Sequence, residues 1–110
     1  MNPSDRELYV LEKLDQAVHA LATGAGCVQE RLEEAYRFLV AARPEEVSDR
    51  ELRRVLVGIK DDLTFEEPVY REGRLKATVQ GLDDEDASAI AARILTLRDR
   101  LREQLIDSPS

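Results

Sequence analysis

The stretch from Leu82 to Ile106, LDDEDASAIAARILTLRDRLREQLI, leaves room for little but a helix. Ile90, Ile94, Leu97, Leu101 and Leu105 recur at steps of four, three, four and four, which lays them along one stripe of a 3.6-residue helix. Asp83 is placed to cap its start, and Asp84, Glu85 and Asp86 set negative charge against the positive end of the dipole. Arg93, Arg98, Arg100 and Arg102 crowd the later turns, where cations are favoured. Leu82 and Ala87 flank the cap as a weak hydrophobic staple. The rest of the chain is then read as what packs on a helix over about 84–106.

Three more helices follow from the same grammar. Ser4 and Glu7 form an S-x-x-E capping box, and Leu8, Leu11, Leu14, Val18 and Leu21 continue on one face, giving a helix over about 5–23. Gly24 suits the left-handed residue that ends a helix, and with Gly26 it makes a short link that folds the next helix back antiparallel. That helix, about 27–42, carries Val28, Leu32, Ala35, Tyr36 and Leu39 on one face, with Glu33 and Arg37 spaced to pair, and Pro44 marks its end. Ser48 and Glu51 repeat the capping box, with Val47 and Leu52 as staple, before a helix over about 49–63 striped by Leu52, Val55, Leu56, Ile59 and Leu63. The word SDREL occurs at both starts, yet the likeness fades after Leu52, as expected of two helix starts converging on one cap. Gly58 inside this helix costs about 1 kcal/mol relative to Ala and suggests close approach by a neighbouring backbone.

Residues 64–82 break the pattern. Val69 to Arg71 and Arg74 to Val79 flank Glu72 and Gly73, so either a small β-hairpin turning at Gly73 or an irregular crossover is compatible with the sequence. The fold class is accordingly all-α, a four-helix bundle-like single domain with a long 64–82 crossover. Aromatics make up only 5% with no Trp, so Leu, Val, Ile and Ala must build the core, as in helix bundles.

The residues exclude more chemistry than they support. Cys27 stands alone, which rules out an internal disulfide and suits a reducing compartment; it reads as a small apolar filler at a helix start. The only histidine, His19, sits on the flank of the first stripe and reads as a half-buried structural residue. No phosphate-binding glycine loop, nucleophile elbow or Cys/His cluster occurs, and Asp83 to Asp86 lacks the alternating ligands and central Gly of a calcium loop. No catalytic residue, cofactor, metal or small-molecule ligand is expected. The start of the chain lacks a basic region followed by an apolar run, and no span is apolar enough for a membrane helix; a cytoplasmic location is expected.

Charge and apolar surplus point to recognition of a protein. The net charge of -7 opposes attraction to phosphate backbones and anionic lipids and favours a basic partner. Leu95 and Ile106 fall well over 100° from the centre of their stripe, Ala91 extends the same flank, and Val57 and Tyr9 are similarly displaced on their helices. These five residues are the expected interaction surface of a small non-catalytic module, an adaptor or an acidic neutraliser of a basic partner, with a homodimer through the last helix as one form of it. The alternative is a small DNA-binding regulator using Arg50, Arg53 and Arg54, which open the third helix as a recognition helix would; adjacent Asp49, Glu51 and the overall acidity weigh against it.

Overall fold

A computed structural model describes residues 3–64 and 81–107, with side chains at 5–64 and 81–106. Among these residues the chain is all-α and contains no strand. Helix α1 spans Pro3–Thr23, α2 Val28–Leu39, α3 Arg50–Leu63 and α4 Asp84–Arg102; a 3-10 turn at Pro44–Glu46 precedes α3 and a π-helical turn at Glu103–Asp107 continues α4. The hairpin weighed at Gly73 falls on residues 65–80 and lies outside the described residues.

The stripe of α4 is the one its sequence announces. Ile90, Ile94, Leu97 and Leu101 are buried with Ala87, and Leu105 packs on their edge. Asp83 Oδ1 accepts a 2.7 Å hydrogen bond from the Asp86 backbone N–H, which satisfies one of the free donors of the first turn. Helix α4 packs against α1, α2 and α3, whereas α2 and α3 hardly meet. It is the element that the other three share.

Helix α1 is rotated from its expected face. Its buried arc is Val10, Leu11, Leu14, Ala17 and Ala20, with Val18 and Leu21 at the margin, while Leu8 is 43% exposed. Counted at about 100° per residue, Leu8 lies roughly 150° from the centre of that arc. The alanines carry the stripe against α2 and turn the arc toward Val10.

Both capping boxes are replaced by one long-range contact. Because α1 begins at Pro3, Ser4 lies within the helix, and Glu7 is free to look elsewhere. Its Oε1 accepts a 2.7 Å hydrogen bond from Ser48 Oγ, and the residue is only 7% exposed. Ser48 therefore does not cap α3. Asp49 does, with extended backbone and Oδ1 accepting from the Leu52 N–H at 3.0 Å, so α3 starts one residue later than expected.

The α1–α2 link also departs in detail. The left-handed residue is Gly26, at φ +93°, not Gly24. Gly24 N–H instead bonds Ala20 O at 2.8 Å, and a Cβ there would lie 2.6 Å from that carbonyl oxygen. Helix α2 ends at Leu39, and the chain tightens through Ala41 N–H to Phe38 O and Ala42 N–H to Leu39 O before Pro44 opens the 3-10 turn. Arg37 pairs with Glu34 at 3.5 Å rather than with Glu33. Gly58 faces the Arg93 guanidinium, 3.1 Å from a built Cβ, so a side chain and not a neighbouring backbone approaches it.

Polar side chains fasten the helix ends. Arg31 Nη1 donates to Leu21 O at 2.9 Å and Lys60 Nζ to Ala42 O at 3.0 Å, each occupying a carbonyl near the end of another helix. Gln29 ties the start of α2 to Leu82 O and Asp84, and Gln104 reaches the Asp49 cap at 2.9 Å. Arg98 Nη1 bonds Asp15 on α1 at 3.1 Å; burial opposes its charge, and the carboxylates of Asp15 and Asp99 nonetheless hold its pKa above the ordinary value.

Candidate interaction surface

The antiparallel pairing of α1 and α2 leaves a seam on its outer side, and the side chains along it decide what the surface can do. Near the start of α1, residues 5–12 face residues 41–46 across an open groove of about 710 Å³, with Leu8, Tyr9, Val10 and Ala41 as its apolar lining. Further along, residues 12–24 face residues 34–38 across a second opening of about 540 Å³, where Ala20 and Phe38 supply the apolar surface. Glu12 lines both, so the two openings adjoin along α1 at that residue. Leu8 and Tyr9 are the large apolar residues left exposed in the first opening; Val40, next in sequence to Ala41, is exposed but does not line it. Lys13 Nζ sits 5.2 Å from the centroid of the Tyr9 ring and steadies it by a cation–π contact.

The rim is acidic. Asp5, Glu12, Asp15, Glu34 and Glu46 contribute carboxylates, against the guanidiniums of Arg6 and Arg43. Both arginines are already matched, Arg6 to Glu46 at 3.7 Å and Arg43 to Glu45 at 2.8 Å. Bonds from its own backbone N–H and then from Arg43 lower the pKa of Glu45. Asp5 and Glu12 make no ion pair among the described residues.

Of the residues expected to form the interaction surface, Tyr9 alone lines this groove. Val57, 41% exposed, projects from the outer face of α3 one turn from Arg53, Arg54 and Asp61. Leu95 and Ile106 are 42% and 58% exposed, but Ala91 packs on the core, and outward neighbours of Leu95 include Ala92, Thr96 and Asp99. The flank of α4 is thus two separate apolar residues on a small and polar face, because the helix is wrapped on three sides by its own fold. Leu8 and Val40 escaped the sequence reading. The roughly 150° mean offset of Leu8 from Leu14 and Ala17 is a usable signal; Val40 falls in the tight turn after α2 and carries none.

Arg50, Arg53 and Arg54 are all exposed at the start of α3. Arg53 Nε donates to Val47 O at 2.9 Å, which draws that side chain back onto its own turn, and neighbouring Glu51 pairs with Arg100 at 3.4 Å. His19 is exposed on the second part of the groove rather than half-buried, since the rotation of α1 carries it outward. Cys27 is likewise exposed, as the N-cap of α2, with Sγ donating to Glu30 Oε1 at 3.4 Å; it fills no core space. Among the described residues no group of three His, Cys, Asp or Glu could hold a metal ion, and no helix is long and apolar enough to cross a membrane. No protein-family model, curated protein or solved structure matches this chain.

Proposed function

We propose that the protein is a small non-catalytic protein–protein interaction module, bundle-like in its helix arrangement, that docks a partner along the α1–α2 seam as an adaptor or as an acidic neutraliser of a basic protein. The observation that carries this reading is the groove itself: exposed Leu8 and Tyr9 lie at one end of it, under a rim in which carboxylates outnumber guanidiniums. An apolar floor supplies binding energy and a charged rim supplies selection, the division found in specific interfaces. The test is quantitative pull-down from the native cell with wild-type and Tyr9→Glu baits, read by mass spectrometry. The reading requires a set of proteins retained by wild-type and lost with Tyr9→Glu; identical sets would sink it.

A second reading, DNA binding by Arg50, Arg53 and Arg54, is favoured by their common exposure on α3. It requires gel retardation at low salt that disappears when Arg50 and Arg54 are changed to Ala. A homodimer through α4 rests on Leu95 and Ile106 and requires light scattering to show a mass that falls with Leu95→Glu.

A further inference from the structure

The proposed docking groove has the length, backbone chemistry and charge to specify its occupant. From Asp5 to Thr23 its two adjoining openings together follow α1 for about 27 Å at 1.5 Å per residue, the length of roughly five helical turns. One wall is α1; the other is α2 in the second half and the turn and 3-10 segment of residues 41–46 in the first, so no strand lies among them and the groove offers no strand edge to an extended peptide. An occupant here must satisfy its own backbone, which an α-helix does. The apolar lining lies at two places, Leu8, Tyr9 and Ala41 at one end and Ala20 with Phe38 at the other. That calls for anchors at i, i+3/i+4 spacing along one stripe.

The charge is equally directive. Both arginines of the first half are matched by Glu46 and Glu45, and Asp15 and Glu34 of the second half are matched by Arg98 and Arg37, which leaves Asp5 and Glu12 as the lining carboxylates without an ion pair among the described residues. Resting on the reading of this seam as a docking face, we infer that its ligand is a cationic amphipathic α-helix of a partner protein, about 18 residues long. Its apolar stripe lies on Tyr9 and Phe38, and its flanking Lys or Arg side chains meet Asp5 and Glu12.

The probe is a synthetic 18-residue peptide of Leu and Lys with Leu at helical i, i+3/i+4 positions, titrated into the isotope-labelled full chain and followed by amide NMR shifts. A peptide of the same composition in scrambled order and a Leu/Glu counterpart serve as comparisons. The expected result is saturable shifts confined to α1 and α2, binding about tenfold weaker for the scrambled peptide, and a further loss of about tenfold in Glu12→Lys or Tyr9→Ala, a factor equivalent to about 1.4 kcal/mol. Glu12 and Tyr9 are exposed, and an unchanged far-ultraviolet circular dichroism spectrum confirms folding of each variant. Equal binding of the scrambled or Leu/Glu peptide, with shifts still on α1 and α2, overturns the cationic helix while leaving the docking face intact. Shifts centred on Leu95 or on α3, or no binding at all, overturn the docking face as well. Shifts of the same residues that grow with protein concentration alone identify a second copy as the occupant and overturn the inference.

Discussion

Ser48 Oγ donates a 2.7 Å hydrogen bond to Glu7 Oε1, and in doing so joins the two SDREL words of the chain through the last-but-one residue of the first and the first residue of the second. The contact spans 41 positions and fixes the start of α1 against the turn before α3. Glu7 is the one buried charged residue among those described, so its partner matters to the fold.

Removing that partner should therefore show in stability. Ser48→Ala is expected to cost about 1–3 kcal/mol, the range for leaving a buried acceptor without its donor. Combining it with Glu7→Met should cost less than the two single changes added together, because the stranded carboxylate is gone. Urea unfolding of the four proteins of the cycle provides the measurement, and strict additivity would show that the bond contributes nothing.

The contrast between neighbouring positions on α4 is a second check. Leu101 is fully buried, and Leu101→Ala should lose about 2–5 kcal/mol through transfer and cavity terms. Leu95→Ala, at a residue 42% exposed, should stay within about 0.5 kcal/mol in dilute protein. If the loss at Leu95 instead grows with protein concentration, a second copy covers that face.

Acid should act on the start of α3. The Leu52 backbone N–H, and after it the Gln104 side chain, hold the Asp49 carboxyl below its ordinary pKa. A depressed folded-state value means a contribution that is full above the unfolded pKa near 3.8 and is lost as pH falls through the lower folded value. Asp49→Asn keeps a capping acceptor but cannot titrate there. Its urea midpoint should consequently fall less steeply than that of the wild type below about pH 4; parallel curves would refute the assignment.

At the α1–α2 link, Gly26→Ala should destabilise by about 1 kcal/mol or more, because φ +93° is a conformation that a Cβ disfavours and the added methyl meets the Glu30 carboxylate. Ala25→Gly, one residue away and exposed, is the comparison and should cost no more than the flexibility of a glycine. Thermal unfolding followed by circular dichroism separates the two; equal losses would mean that the backbone at position 26 is not what constrains the turn.

Much of this architecture could be read from residue order alone, where local and long-range demands agree. The stripe and Asp83 cap of α4, the stripe of α3 and the buried Leu32, Ala35 and Leu39 of α2 all follow from 3.6-residue spacing and helix-end chemistry. What escaped was set by partners distant in sequence. Nothing near Glu7 says that its carboxylate will choose Ser48 over its own helix start, and nothing near Val10 says that Ala17 and Ala20 will turn α1 toward α2. The groove was visible only through Tyr9, since its other wall, from Glu34 to Glu46, is brought alongside by the Gly26 turn. Apolar excess on α4 pointed to a surface, but that helix spends its width on three neighbours.

The central place of α4 also sets an order of events during translation. Helices α1 and α2 are adjacent in sequence and pack on each other, so they can close as a hairpin while the remainder is still inside the ribosome. Helix α3 has no such option: among the described elements it rests chiefly on α4 and the short 3-10 turn, and α4 is made after it. Leu52, Leu56, Ile59 and Leu63 therefore wait, uncovered by α4, until Ile90, Ile94, Leu97 and Leu101 have emerged, an interval in which a nascent-chain chaperone would find its target on α3.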